Sequence, residues 1–279
     1  FFRLDVQPIG QKPYKSTTEK AYLEGERETT SVMSPANRLG IRINPNGCVV
    51  GLPIIASHVG GDTSADMIAL KMLEGHETAM LVDVGTNTEV VVKQGDRMVA
   101  ASCPAGPAFE GGGIDCGMPG YEGAIETLRI EGDAFAFDTI GGLPAEGLCG
   151  SGLIDLLAEL RRHDWMTPKG VFKDKLYQLT IEPDRPITFS RQDASNLAQA
   201  KAANTSGMFI VMRHLDVKPA DVECLYLAGG FANYVDVGNA IEIGFLPPIP
   251  EDRIIKVGNA SVIGARDALL SRERRLSAE

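Results

Sequence analysis

Residues 81–90 read LVDVGTNTEV, an apolar strand that ends in a polar turn and continues into a second strand. Gly85 lets the chain reverse closely, and the residues after it supply hydroxyl, amide and backbone N–H donors that suit an anion such as phosphate. The strand delivers Asp83 to its end, where a carboxylate can hold Mg²⁺ together with phosphate oxygens. A β-hairpin whose polar residues serve only the turn is the alternative. The expected anion-binding residues are Gly85, Thr86, Asn87 and Thr88.

A second glycine-rich corner follows the apolar strand in residues 225–233, which read LYLAGGFAN. The double glycine, Gly229 and Gly230, lets backbone approach a flat ligand such as adenine and ribose, and Phe231 follows it. A plain strand-to-helix turn explains the same residues if this corner is taken alone. Between the two corners, the capping pattern at 190–193 predicts a long helix that ends at about Leu215.

Strand and helix patterns alternate along the remainder of the chain. Three short strands from 79 to 101 form an antiparallel meander, and helix and strand signals alternate after residue 150. This order predicts an α/β fold with a mixed sheet flanked by helices. A further helix is predicted from Asp62, its cap, to about Leu73. Other helices are predicted after Gly150-Ser151, at 236–243 and at 259–271. Strands are predicted at 124–130, 134–138 and 253–257.

Composition excludes several classes of function. The net charge is −10 and no dense basic run occurs, which argues against nucleic acid as a partner. No apolar run approaches the ~18 residues of a membrane-spanning helix. The five cysteines are dispersed without metal-like or redox-like spacing, which fits a reducing, cytoplasmic compartment. The chain starts with Phe rather than Met, which is typical of a part of a longer protein.

As a set, six motifs resemble one family, the ATP-dependent reductive activators of corrinoid enzymes, and in particular their C-terminal actin-like (ASKHA, ribonuclease-H-like) ATPase domain. The resemblance covers nearly all of residues 1–270. The motifs are IIASHVGGDT at 54–63, AGPAFEG at 105–111, GLCGSGLID at 147–155, QAKAA at 199–203, LAGGFANY at 227–234 and VGNA at 257–260.

The resemblance implies a function and its cofactors. Such proteins couple ATP hydrolysis, with Mg²⁺, to the reduction of inactive Co(II) corrinoid to Co(I), and an N-terminal iron–sulfur domain donates the electron. The implied partner is a corrinoid protein or a cobalamin-dependent methyltransferase. The sequence leaves the oligomeric state open, and a homodimer is compatible with it.

Two features depart from the family pattern. No iron–sulfur cysteine cluster is present, so we expect that cluster only in a missing N-terminal domain. The fold normally has an earlier D-x-G-T turn, and only one such turn occurs here. We therefore expect a truncated N-terminal subdomain at 1–75, with a flexible segment at 15–34, and a second subdomain at 76–279. Whether this chain is an enzyme by itself is left open.

The family's phosphate and adenosine motifs give the turn residues their implied roles. Asp83 binds or orients Mg²⁺ and the attacking water, and the turn holds the β- and γ-phosphates. Gly229, Gly230 and Phe231 frame the adenosine, and Lys201 contacts ribose or adenine unless it belongs to a solvated helix face.

Four further positions are expected near the phosphates. Asp62 and Thr63 cap one helix, and Gly150 and Ser151 open another, whose N-terminus suits an anion. Plain capping explains both pairs equally. Glu110 lies in a glycine-rich loop. Three alternatives are open for this loop: it moves with the nucleotide state, it contacts the corrinoid protein, or it is an ordinary surface loop.

Other functions fit the same residues. One alternative is another enzyme on this fold, such as a small-molecule kinase or a dehydratase activator, although the latter usually carries bridging cysteines that are not clearly matched here. A different class is a non-catalytic docking module that retains the fold and hydrolyses nothing. Loss of nucleotide binding on Asp83→Ala separates these classes.

Overall fold

The computed structural model describes residues 2–75, 77–173, 176–230 and 232–279, which divide into a compact unit of residues 1–76 with 259–279 and a second unit of residues 77–258. Its strands in the described ranges are β1 (Val32–Pro35), β2 (Cys48–Gly51), β3 (Thr78–Val84), β4 (Thr88–Gln94), β5 (Arg97–Cys103), β6 (Ala124–Glu131), β7 (Ala134–Thr139), β8 (Gly147–Leu148), β9 (Gln178–Glu182), β10 (Ile187–Ser190), β11 (Cys224–Gly229) and β12 (Ile254–Gly258). The α-helices there are α1 (Thr17–Leu23), α2 (Gly61–Leu70), α3 (Gly150–Arg162), α4 (Arg191–His214), α5 (Val237–Glu242), α6 (Ala260–Leu270) and α7 (Arg272–Leu276).

A five-stranded mixed sheet forms the centre of the unit of residues 77–258, in the order β12-β11-β3-β4-β5. β3, β4 and β5 are an antiparallel meander, while β11 runs parallel to β3 and β12 runs parallel to β11. Helix α4 packs against β4 and β5. The α/β fold with a mixed sheet and flanking helices, expected from the sequence, is confirmed.

Side-chain alternation along β3 separates its two faces. Met80, Val82 and Val84 belong to the main apolar core, together with residues of α3 and α4. Because successive strand residues point to opposite faces, Leu81 and Asp83 face the other side of the sheet. Asp83 and Val84 therefore leave the end of this strand in different directions.

A three-stranded sheet in the order β7-β6-β8 lies against α3. Beyond the short strand β8, the edge of β6 is covered by side chains rather than by another strand. The Leu128 N–H donates to the Asp155 carboxylate at 3.2 Å, and the Ile130 N–H donates to the Glu159 carboxylate at 2.7 Å. Carboxylates four residues apart on a helix thus satisfy alternate N–H groups of a strand.

The long helix between the two glycine corners begins and ends close to its predicted bounds. The Ser190 side chain accepts a hydrogen bond from the Asp193 N–H, and the Asp193 carboxylate accepts one from the Ser190 N–H, which makes a reciprocal capping box. Helix α4 then continues to His214, against the predicted end at about Leu215.

Helix α2 differs from its prediction at both ends. Gly60, in an extended conformation, occupies the N-cap position, whereas Asp62 lies in the first turn and accepts from the N–H of Thr63 at 2.9 Å. The helix ends at Leu70 because Lys71 adopts a left-handed conformation. An added Cβ at Gly264 of α6 would lie 1.7 Å from the carbonyl oxygen of Ala65, so α2 and α6 pack in close contact.

The segment 15–34, expected to be flexible, contains helix α1 and the start of β1. The Ser16 hydroxyl accepts from the Glu19 N–H at 3.1 Å and caps α1. The sequence Ser-Thr-Thr-Glu at 16–19 is a capping signal that explains this helix. Among the described residues, no helix has the length and apolar character needed to span a membrane.

Candidate functional site

The turn after β3 is closed by backbone hydrogen bonds. The Gly85 N–H donates to the Asn87 carbonyl at 3.0 Å, and the Gly106 N–H donates to the Thr86 carbonyl at 2.9 Å. The second bond ties the turn to the segment that follows β5. We call residues 85–88 the phosphate turn.

Two hydroxyls of the phosphate turn have different surroundings. The Thr86 hydroxyl donates to a carboxylate oxygen of Glu110 at 2.7 Å. The Thr88 hydroxyl is fully buried and has no hydrogen-bond partner within the described parts of the chain. Thr88 is the first residue of β4, where it pairs with Val84 of β3.

The two glycine corners meet at adjacent strand ends. Gly229 pairs with Val84 across β11 and β3, and it has a φ of +115°. A Cβ added at Gly229 would lie 2.2 Å from the Val84 carbonyl oxygen, so no other residue fits. At Gly230 an added Cβ would meet no atom within 4 Å, which leaves that position open. Phe231 lies outside the described residues.

Helix α3 points its N-terminus at the same place. Cys149 occupies the N-cap position without a side-chain cap, and Gly150 and Ser151 form the first turn. Gly152 packs closely on β6, because a Cβ there would lie 2.3 Å from the Ile125 carbonyl oxygen. The unpaired N–H groups and the dipole of a helix N-terminus favour a negative charge.

A cavity of ≈ 600 Å³, a size usual for small-molecule sites, lies beside Gly230 and the N-terminus of α3, and residues 85–88 of the phosphate turn are not part of its lining. Glu110, Gly150, Ser151 and Gly230 line it beside Val84, so four residues expected in the site are brought together. Its apolar wall is formed mainly by Phe109, Met118, Pro119 and Ile140.

Asp83 is not part of the lining of that cavity, in keeping with its place on the other face of β3. There it stands directly opposite Glu89 of β4, whose carboxylate accepts from the Ser102 hydroxyl at 2.8 Å. Like charges directly opposite one another on a sheet are unfavourable. Sequence reasoning missed Glu89, although the hairpin pairing of D-x-G-T-N-T-E places it opposite Asp83.

Carboxylate oxygens are suitable ligands for Mg²⁺, so Asp83 and Glu89 fit that ion chemically. In the described ranges, no group of three or more His, Cys, Asp or Glu side chains is arranged to hold a metal. This arrangement suits an ion held by one or two carboxylates together with phosphate oxygens rather than by an all-protein cage.

Lys201 lies in a different cavity, of ≈ 230 Å³, whose lining also includes Arg161 and Lys169. Its ammonium group donates to the Ile243 carbonyl at 2.9 Å, at the C-terminus of α5. Burial, followed by the charge of Arg161, lowers the pKa of Lys201. The structure therefore gives Lys201 a helix-capping contact, and its expected contact with ribose or adenine stays a prediction.

Asp62 and Thr63 belong to the other compact unit. Asp62 bonds its neighbour's N–H, as described above, and the Thr63 hydroxyl is buried without a hydrogen-bond partner in the described part of the chain. Their expected role near the phosphates stays a prediction.

The sheet order and the paired glycine corners define the actin-like, or ASKHA, class of fold. The chain belongs to the family described as the C-terminal domain of RACo, the ASKHA domain, whose model matches residues 77–279, and residues 1–75 match the RACo middle region. The resemblance found in the sequence motifs is thereby confirmed.

Three known proteins illustrate the relationship. "Corrinoid activation enzyme RamQ" of Eubacterium limosum is 32% identical, over 83% of this chain and 43% of the relative. A "[Co(II) methylated amine-specific corrinoid protein] reductase" of Methanosarcina barkeri is 29% identical, over 86% and 48%. The solved structure of a "Reductive activator for corrinoid,iron-sulfur protein" matches with a TM-score of 0.86 and 33% identity, over 100% of this chain and 46% of that one. The chain thus spans about half the length of these relatives.

Proposed function

We propose that this chain is the nucleotide-binding and partner-docking part of an ATP-dependent activator that reduces Co(II) corrinoid to Co(I) on a methyltransferase-type corrinoid protein. The observation that supports the proposal is the close contact of Gly229 with Val84, because it brings the two glycine-rich corners of the chain side by side. The names of the relatives support the corrinoid as the object of the reaction.

In this proposal the chain's own residues bind and orient the nucleotide. Backbone N–H groups of the phosphate turn and of the first turn of α3 bind the phosphates, with the hydroxyls of Thr86 and Ser151 nearby. Gly230 leaves room for the flat part of the ligand. Asp83, with Glu89 opposite, would hold Mg²⁺, which offsets the phosphate charge, and Asp83 orients the attacking water.

In this proposal the electron comes from another part of the protein. Four cysteines are buried and Cys48 is exposed, and in the described ranges they form no metal-binding group. Burial, followed by the charges of Asp193 and Asp115, raises the pKa of Cys116 to about 12, so this thiol stays protonated at neutral pH. We therefore place the iron–sulfur cluster in another part of the protein.

The setting of the reaction follows from the same proposal. Free cysteines fit a reducing cytoplasm, and the net charge of −10 fits a protein partner better than nucleic acid. Homodimer formation is a separate expectation, which the mass in solution tests.

Isothermal calorimetry of Mg·ATP and Mg·ADP with wild type and Asp83→Ala tests the nucleotide site. We expect binding to the wild type and a weakening of roughly tenfold or more in the variant, which corresponds to at least ~1.4 kcal/mol. A wild type that binds neither nucleotide would refute the ATPase proposal and favour a docking module.

A second measurement separates activation from docking. With a Co(II) corrinoid protein and a reductant, Asp83→Ala should lose ATP-dependent formation of Co(I), followed by its absorbance, while binding of the corrinoid protein is retained. Phosphorylation of a small acceptor by the wild type, without Co(I) formation, would instead indicate a kinase.

A further inference from the structure

Glu110 is held in place by its two neighbours in the chain. It ends a 3-10 helix, Pro107–Glu110, in which Phe109 is buried against Phe245 with a centroid separation of 4.8 Å. Gly111 follows with a φ of +88°, and a Cβ there would lie 2.5 Å from the Met118 nitrogen. The backbone on both sides of Glu110 is therefore fixed by packing.

The rest of the glycine-rich loop is tied to the start of α4. The Asp193 carboxylate accepts from the Asp115 N–H at 2.8 Å, and the Asn196 amide donates to the Gly113 carbonyl at 2.8 Å. The buried Asp193 is itself fixed by the capping box of α4. Glu110 is thus presented from an anchored segment.

From this position, the exposed Glu110 carboxylate lies beside the phosphate turn. One oxygen accepts from the Thr86 hydroxyl at 2.7 Å, and the other lies 3.9 Å from where a Cβ on Gly85 would stand. A carboxylate here opposes a phosphate in two ways. It accepts the hydrogen bond from the Thr86 hydroxyl that a phosphate oxygen would otherwise accept. It also adds a negative charge beside the incoming anion.

We propose that Glu110 makes nucleotide binding at the phosphate turn depend on a bound divalent cation, by excluding metal-free polyphosphates and admitting their metal complexes. The inference rests on the proposed function, since it concerns the same nucleotide site. Without a cation, a phosphate oxygen that accepts the hydrogen bond from Thr86 deprives Glu110 of its hydrogen-bond donor. It also brings a second negative charge close to the Glu110 carboxylate. With a cation between them, the same carboxylate becomes a favourable counter-charge.

The test compares the affinity for ATP in excess MgCl₂ with that in EDTA, by calorimetry, for wild type and Glu110→Gln. Glutamine keeps an oxygen that accepts from Thr86, so the fold is retained while the charge is removed. We expect Glu110→Gln to bind metal-free ATP about tenfold more tightly than wild type, a coupling of ordinary size between two sites. The variant's gain in affinity on adding Mg²⁺ should shrink accordingly.

Glu126→Gln is the matched control, because Glu126 lines the same cavity from β6. It should keep the wild-type response to Mg²⁺. The inference is overturned if Glu110→Gln keeps the wild-type change in ATP affinity on adding Mg²⁺. It is also overturned if both variants lose that change equally, because the cause would then be the total negative charge around the cavity. Failure of wild type to bind ATP in either condition would instead refute the proposed function, and the inference with it.

Discussion

Gly229 decides how closely the two halves of the site approach one another. Its φ of +115° is accessible to glycine alone, and its backbone lies against the Val84 carbonyl with no room for a side chain. Gly230 follows directly in the chain but borders open space. Neighbouring glycines thus serve different purposes, one for strand contact and one for access to the cavity.

Gly229→Ala should therefore lower the free energy of unfolding by about 2 kcal/mol or more, because a strained φ and a clash with backbone combine. Gly230→Ala is the matched control and should change stability by less than ~1 kcal/mol, while it weakens nucleotide binding by filling the cavity. Urea unfolding of both variants measures the difference. Equal losses would show that the close contact at Gly229 is not the cause.

The buried carboxyl of Asp155 gives stability a dependence on pH. Burial raises its pKa above the ordinary 3.8, against the opposing effects of hydrogen bonds from Asn239 and Leu128. Since the folded protein binds this proton more tightly than the unfolded chain, the stability that it contributes is fully present below pH 3.8. That stability is lost as pH rises through the raised native value.

Wild type should consequently lose stability relative to Asp155→Asn as pH rises from 3.8 toward neutrality. Denaturant unfolding of both proteins across this range measures the trend. A difference between the two proteins that does not change with pH would contradict the burial of an ionisable Asp155.

At the scale of secondary structure elements, helix α4 organises the glycine-rich loop as well as its own start. Its capping residue Asp193 accepts from the Ser190 backbone and side chain and also from the Asp115 N–H, which lies far away in the sequence. The capping box is predicted from local sequence, but its Asp193 also makes a long-range hydrogen bond to Asp115. That bond positions the glycine-rich loop that follows Glu110.

Removing each side of the capping box should have unequal effects. Ser190→Ala should cost about 1 kcal/mol of stability, as is usual for an N-cap. Asp193→Ala should cost roughly 2–3 kcal/mol, because a buried carboxylate with several donors is lost. It should also alter the Mg²⁺ response of ATP binding by releasing the loop that carries Glu110. Similar losses of stability in both variants would show that the Asp115 contact contributes little.

For the whole molecule, nucleotide binding and folding are linked. A ligand that binds the native state alone stabilises it by about 2.7 kcal/mol at a hundred times its Kd. Mg·ADP at that level should raise the melting temperature by roughly 5 °C or more. Thr86→Val, which removes a hydroxyl from the phosphate turn, should reduce this shift, and an unchanged melting temperature in saturating Mg·ADP would contradict the proposed site.

The C-terminal helices show a limit of reading the chain in order. α6 and α7 belong to the same compact unit as residues 1–76, and α6 packs on α2. The family models, by contrast, divide the chain once, between residues 75 and 77. Order along the chain does not reveal that the C-terminal helices pack on the N-terminal residues, because the two segments are remote in sequence.

The sequence by itself determined the class of fold, the family, the two glycine corners and the cap of α4. These features depend on local patterns, such as an apolar strand that ends in Asp-x-Gly-Thr, a double glycine, or Ser three residues before Asp. A pattern of this kind follows from the backbone's own preferences, so it can be read without knowing what packs against it.

Only the tertiary structure decided which residues share a cavity. It joined Thr86 to Glu110, brought the N-terminus of α3 to Gly230 and placed Lys201 in another cavity. Each of these relations depends on strand register, on sheet order or on which face of a strand a residue occupies. Such quantities are fixed by packing between segments distant in sequence, because burial of the shared core selects one register and one face for every strand.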